Sequence, residues 1–236
     1  MSRAFAGPAP LERGRVRVKV CGVTRPEDAI AVEAAGADAV GVIFAAGSRR
    51  RVDVARAAEV LAPLGPFVTR VGVFVSPTAD DVLAAVGALR LHAVQLHGEL
   101  AGGDGAVLAA LRGRVAVIRA VAWSPGLDLD AWARSPADAL LVDGPRAGSG
   151  RPFDWAGAHG LRRLSSWVLA GGLTPENVAQ AIARLAPPAV DVASGVESAP
   201  GTKDARRLAA FMAAVRGAEA GLGRGRRSPG AADGAV

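Results

Sequence analysis

Apolar residues along the chain fall into two alternating patterns, short β-branched runs and longer stretches rich in alanine and leucine at helical spacing. The runs are VRVKVC ending at Cys21, AVGVIF at Phe44, VTRVGVFV at Val75, AVQLH at His97, VAVIRAV at Val121, ALLVD at Asp143, WVLAG at Gly171 and AVDVAS at Ser194. A helical stretch follows each of them. Start signals stand at Thr24 before Pro26, at Asp53, at Thr78 before Asp80 and Asp81, at Thr174 before Pro175, and at Lys203 before Asp204. Strands starting roughly 20 to 30 residues apart are one strand–helix unit apart, and eight such units predict an α/β chain folded as a single (β/α)8 TIM barrel over residues 15–216. A doubly wound open sheet rarely needs eight regular units, and no G-x-G-x-x-G follows the first strand. Residues 1–14 and 217–236 mix glycine, alanine, proline and charge without periodicity and read as disordered segments outside the barrel.

Composition narrows the class. A chain of 236 residues, 50% apolar and 21% charged, suits one large globular domain with a sizeable core. No apolar run reaches the roughly 18 residues of a membrane span, and MSRAFAGPAP has no apolar segment behind its arginine. A cytoplasmic protein with no membrane partner is expected. Cys21, the single cysteine, excludes an intramolecular disulfide and a cysteine-cluster metal site. The formal charge of +6 and pI near 11.0 raise nucleic-acid binding. However, all but two of the 28 basic residues are arginine and tyrosine is absent, so compositional bias accounts for much of the basicity. No nucleic-acid partner is expected; a small anionic substrate is a better use for the charge.

A barrel of this kind carries its chemistry at the C-terminal ends of its strands, so the residues ending each run are the candidates. Gly148-Ser149-Gly150 follows the sixth run, Gly171-Gly172 the seventh and Ser194-Gly195 the eighth. Three small-residue loops on adjacent strands let backbone N–H groups approach one phosphate. The first half of the chain has no comparable loops, which implies one phosphate on the substrate. Strand alternation puts Lys19 with Cys21, and Leu141 with Asp143, on inward faces three strands apart, where an acid and a base could address opposite sides of a ligand. A cysteine base needs help to ionise, and Lys19 is one candidate alongside backbone dipoles, although Lys19 could equally pair with Asp191. The SRRRV segment offers Arg49, Arg50 and Arg51 for a carboxylate. Gln95 and His97 share one face of the fourth strand, where the histidine positions substrate or completes the rim.

VKVCGVTRPEDA, GADAVGVIF, VGVFV, VQLHGE, GSGRPFDW, VLAGGLTPENVAQAI and VDVASGVESAPGTKD occur in order from residue 18 to 204. Together they closely resemble phosphoribosylanthranilate isomerase, a (β/α)8 enzyme of tryptophan biosynthesis. The resemblance implies an Amadori rearrangement without cofactor or metal, with Cys21 as general base and Asp143 as general acid. It also implies Arg50 on the anthranilate carboxylate; Gln95, His97 and Asp191 are further candidates for contact with the substrate. SRRRV departs from the family's S-P-R-Y-V on both sides of the arginine, and DVASG from its D-V-S-S-G. Two alternatives are a broad-specificity phosphoribosyl isomerase also serving histidine biosynthesis, and a non-catalytic barrel that binds a phosphometabolite. Monomer and homodimer are both compatible with the sequence.

Overall fold

A computed structural model describes residues 15–101, 103–144 and 154–224. Eight parallel strands close into a barrel in chain order: β1 (Arg17–Cys21), β2 (Ala39–Ile43), β3 (Thr69–Val75), β4 (Ala93–His97), β5 (Ala116–Ala122), β6 (Ala139–Asp143), β7 (Trp167–Leu169) and β8 (Ala189–Val192). Helices α1 (Pro26–Ala34), α2 (Val54–Leu61), α3 (Ala79–Leu89), α4 (Asp104–Leu111), α5 (Leu129–Ala133) and α6 (Val178–Leu185) connect them, with a 3-10 stretch, Trp155–Arg163, between β6 and β7. A short hairpin, β9 (Glu197–Ala199) and β10 (Thr202–Lys203), then leads into α7 (Ala205–Arg224). The expected barrel is the observed one, and each strand overlaps its predicted run. No described helix is long and apolar enough to cross a membrane.

The strands face two ways, and each face has its own packing. Outward residues such as Val18, Val40, Leu96, Val142 and Leu169 are fully buried in one continuous core with Val32, Val60 and Ile182 of the helices. Each Val or Leu so removed from water contributes roughly 1.5–3 kcal/mol. The inward face is filled by apolar residues in two groups, Ala39, Val71 and Ala93 in one and Ala120, Leu141, Val168 and Ala170 in the other. Inward polar side chains Lys19 and Gln95 are also buried. The barrel closes between β1 and β8 with Lys19 opposite Asp191.

Several expected helix starts hold and two shift. Asp53 accepts from Arg56 N to cap α2, and Thr78 forms a reciprocal capping box with Asp81 at α3. Asp204 accepts from the backbone of Arg206 and Arg207 at the start of α7. Thr24 does not cap α1: Arg25 holds that position, Pro26 starts the helix, and the Thr24 hydroxyl donates to Gly201 O at 2.7 Å. Thr174 does not cap α6 either, since that helix begins three residues later, behind Asn177.

The boundary at residue 217 also moves, because α7 continues to Arg224. Val215 is fully buried on this helix, and Glu219 accepts from Val16 N and from Arg216 Nη1. Gly217 and Gly221 face open space, so their cost in a helix, about 1 kcal/mol each, is offset by that docking.

Candidate active site

At the C-terminal rim one cavity is lined by Arg50, Gln95, Leu141, Asp143, the 170–173 loop, Asp191, Ala193 and Ser194. Of the expected site residues it brings together Arg50, Gln95, Asp143, Gly171, Gly172, Asp191 and Ser194. Gly148, Ser149 and Gly150 lie outside the described residues. Asp143 closes β6, and its Oδ1 accepts from Gly144 N at 2.7 Å. Gly171 and Gly172 both take left-handed backbone, φ +87° and +63°. Asn177 ties this turn down: its Oδ1 accepts from Thr174 N at 2.8 Å and its Nδ2 donates to Gly172 O at 2.9 Å. Gly195 does not line the cavity; it lets the two glycine loops meet, since a Cβ there would land on the Leu173 carbonyl.

Of the three adjacent arginines, Arg49 and Arg51 are exposed and Arg50 alone turns inward. Its stem crosses Gly22, whose φ of +70° and missing side chain make the passage: a Cβ there would collide with Arg50 Cδ. The guanidinium is gripped by Glu197, with Nε 2.8 Å from Oε1 and Nη2 2.7 Å from Oε2. Lys203 stands behind, its Nζ donating to Glu197 Oε1 at 2.8 Å, to Cys21 O at 2.7 Å and to Ala193 O at 3.2 Å. Burial alone would raise the Glu197 carboxyl, but Arg50 and Lys203 together hold it below the usual range. Glu197 and Lys203 were not among the expected site residues. The E-S-A-P-G-T-K spacing carried the signal, because a Pro-Gly turn predicts a tight hairpin that brings the glutamate and the lysine alongside each other.

Cys21 closes β1 and is buried. Lys19, two residues earlier, pairs with Asp191 at 2.9 Å and also interacts with the thiol. Burial alone would lower Lys19, and these partners more than offset it, so Lys19 stays charged. Both suggested partners of Lys19 are therefore engaged at once. Burial nevertheless pushes the Cys21 thiol above its ordinary value, against the pull of Lys19 and Lys203. His97 lies beside Gln95, which approaches its Nε2 at 2.7 Å. Burial first, then the positive charges of Lys19 and Arg119, lower the imidazole to about 4. A neutral ring accepts at Nε2, leaving Gln95 Oε1 buried with no hydrogen-bond partner among the described residues.

Residues 18–214 match the family model described as N-(5'-phosphoribosyl)anthranilate (PRA) isomerase. The chain belongs to the phosphoribosylanthranilate isomerase family. It is 43% identical over 210 residues to the N-(5'-phosphoribosyl)anthranilate isomerase of Deinococcus radiodurans, covering 87% of this chain and 99% of that one. The counterpart in Acidithiobacillus ferrooxidans is 46% identical over 213 residues, with 86% and 98% covered. The crystal structure of the isomerase from Thermus thermophilus superposes with a TM-score of 0.78 at 42% identity over 86% of this chain and 99% of that one. A further isomerase structure, in complex with reduced 1-(o-carboxyphenylamino)-1-deoxyribulose 5-phosphate, has a TM-score of 0.76 at 38% identity, with 86% and 99% covered. Family membership thus rests on the whole barrel.

Proposed function

We propose that this isomerase converts N-(5-phosphoribosyl)anthranilate into 1-(2-carboxyphenylamino)-1-deoxyribulose 5-phosphate in tryptophan biosynthesis, by acid–base catalysis. The observation that carries this reading is the single cavity joining Asp143, Arg50 and the Gly171–Gly172 turn, with Cys21 at the end of a strand three places from β6. Those groups suit a ligand with a carboxylate at one end, a phosphate at the other and a sugar between.

In this reading the phosphate sits against the Gly171–Gly172 and Ser194–Gly195 loops, where short side chains leave backbone N–H groups accessible. Arg50 donates to the anthranilate carboxylate through guanidinium N–H groups that Glu197 leaves unused. Asp143 gives its proton to the ribose ring oxygen, the C1–O bond breaks, and the nitrogen lone pair forms a C1=N iminium. Cys21 takes the proton from the adjacent C2, the C2–H electron pair forms the C1=C2 bond of the enolamine while the C1=N pair returns to nitrogen, and tautomerisation gives the ketone. The cationic iminium lowers the proton affinity of Cys21 when it must act as base. Gln95 Oε1 offers an acceptor to a sugar hydroxyl, and Asp191 lines the same wall. The chain folds as a soluble-type α/β barrel, and a cytoplasmic location and a monomeric or dimeric state belong to the same proposal.

The test follows loss of arylamine fluorescence as purified protein consumes phosphoribosylanthranilate generated in situ. Turnover by the wild type supports the reading, and a wild type that binds the phosphate ester without converting it overturns it.

A further inference from the structure

We propose that Glu197 is the positioning residue for Arg50, and that the Glu197–Lys203 pair aims the guanidinium at the substrate carboxylate without cancelling its charge. This inference rests on the isomerase reading, and names a residue behind the cavity that sets recognition inside it.

An unrestrained arginine samples many rotamers, and a guanidinium used for recognition loses affinity for each one that must be frozen on binding. Arg50 is frozen in advance at two points. Its stem passes over Gly22, and its Nε–Nη2 edge is held by both oxygens of Glu197 in a fork-on-fork arrangement. Glu197 is itself fixed, accepting from Gly201 N at 3.3 Å and from Lys203 Nζ at 2.8 Å.

Charge explains why a lysine belongs in the cluster. A lone glutamate on Arg50 would neutralise the cation that must attract a carboxylate. With Lys203 on the other side of Glu197, its side chain 1% exposed, the three groups sum to one positive charge. That charge faces the cavity through Arg50, the member of the three that lines it. Lys203 also donates to the carbonyl of Cys21, so the same cluster ties the end of β1 to the hairpin.

The experiment compares wild type, Glu197→Gln, Arg50→Ala and the double variant in steady-state turnover of phosphoribosylanthranilate. Binding of reduced 1-(o-carboxyphenylamino)-1-deoxyribulose 5-phosphate is measured in parallel, and folding by circular dichroism. Glu197→Gln removes one charge and half of the fork, so kcat/KM is expected to fall about 10- to 100-fold, mostly through KM, with the analogue's Kd rising in step. The double variant should be no worse than Arg50→Ala, because Glu197 acts through the arginine. Additive losses, or a loss confined to kcat, would overturn the inference while leaving the isomerase reading intact. A wild type without turnover would defeat both. If Glu197→Gln fails to fold, Glu197→Asp keeps the charge but shortens the reach, and the same KM split and the same non-additivity with Arg50→Ala decide the matter.

Discussion

Replacing Gly171 by alanine should disable the enzyme by moving its acid, without touching any group that transfers a proton. A Cβ at this position would lie 2.5 Å from Gly144 N and 2.9 Å from Asp143 Oδ1. Ordinary contact begins at about 3.5 Å, so something must retreat by roughly 1 Å. The atoms in the way are the backbone of β6 and the carboxylate that its Gly144 N–H holds, not the end of a flexible side chain. A reacting group misplaced by about 1 Å costs on the order of 10²-fold in rate. The left-handed φ of +87° adds strain of about 1–3 kcal/mol to stability. Gly113→Ala separates the two effects, because Gly113 has a φ of +74° and open space where its Cβ would go. Both variants should lose stability in thermal melts. Only Gly171→Ala should lose about 10²-fold in kcat. A Gly171→Ala enzyme with near-wild-type kcat, or a Gly113→Ala enzyme equally slow, would refute the placement of Asp143 at the reacting centre.

Other consequences follow from the buried titrating groups. Because burial raises the Cys21 thiol, kcat/KM should climb from neutral into alkaline pH with the thiolate fraction of free enzyme, and iodoacetamide should alkylate the thiol slowly at neutral pH; a flat profile would count against a thiolate base. His97 is held neutral with a value near 4 against 6.5 in the unfolded chain. The unfolded state therefore binds a proton first as pH falls, and stability should decline between about pH 6.5 and 4, by about 3 kcal/mol in full. Urea titrations of wild type and His97→Asn check this, since the pH-dependence in that window should shrink in the variant. Asn177→Ala should raise KM by loosening the Gly171–Thr174 turn, with its two hydrogen bonds contributing about 1 kcal/mol each.

The barrel was legible because its strands are short runs of one period and its helices carry local start signals. Asp53 and the Thr78–Asp81 box are short-range facts, visible in four residues. The site was legible in part for the same reason: a strand's last inward residue points into the mouth, which singled out Cys21, His97 and Asp143, with Gln95 two residues before His97 on the same face. What escaped was held together by partners distant in sequence. Lys203 reaches the carbonyl of Cys21 across 182 residues, and no spacing in either segment announces that contact. Asn177 sits at the cap position of α6 yet spends its side chain on the loop before it, a contact that the start signal read at Thr174 and Pro175 does not announce. The helix past residue 217 escaped because glycine-rich composition argues locally against a helix, while the docking of Val215 and Glu219 is a tertiary effect.

In the proposed reaction Asp143 and Cys21 are the acid and base of one isomerisation. The decisive experiment measures kcat for Cys21→Ala and Asp143→Asn, with the Kd of the reduced product analogue taken on the same folded proteins. With both roles as assigned, kcat falls roughly 10²- to 10⁴-fold in each variant while analogue binding stays within a few-fold of wild type. Turnover within tenfold of wild type in either folded variant would contradict it.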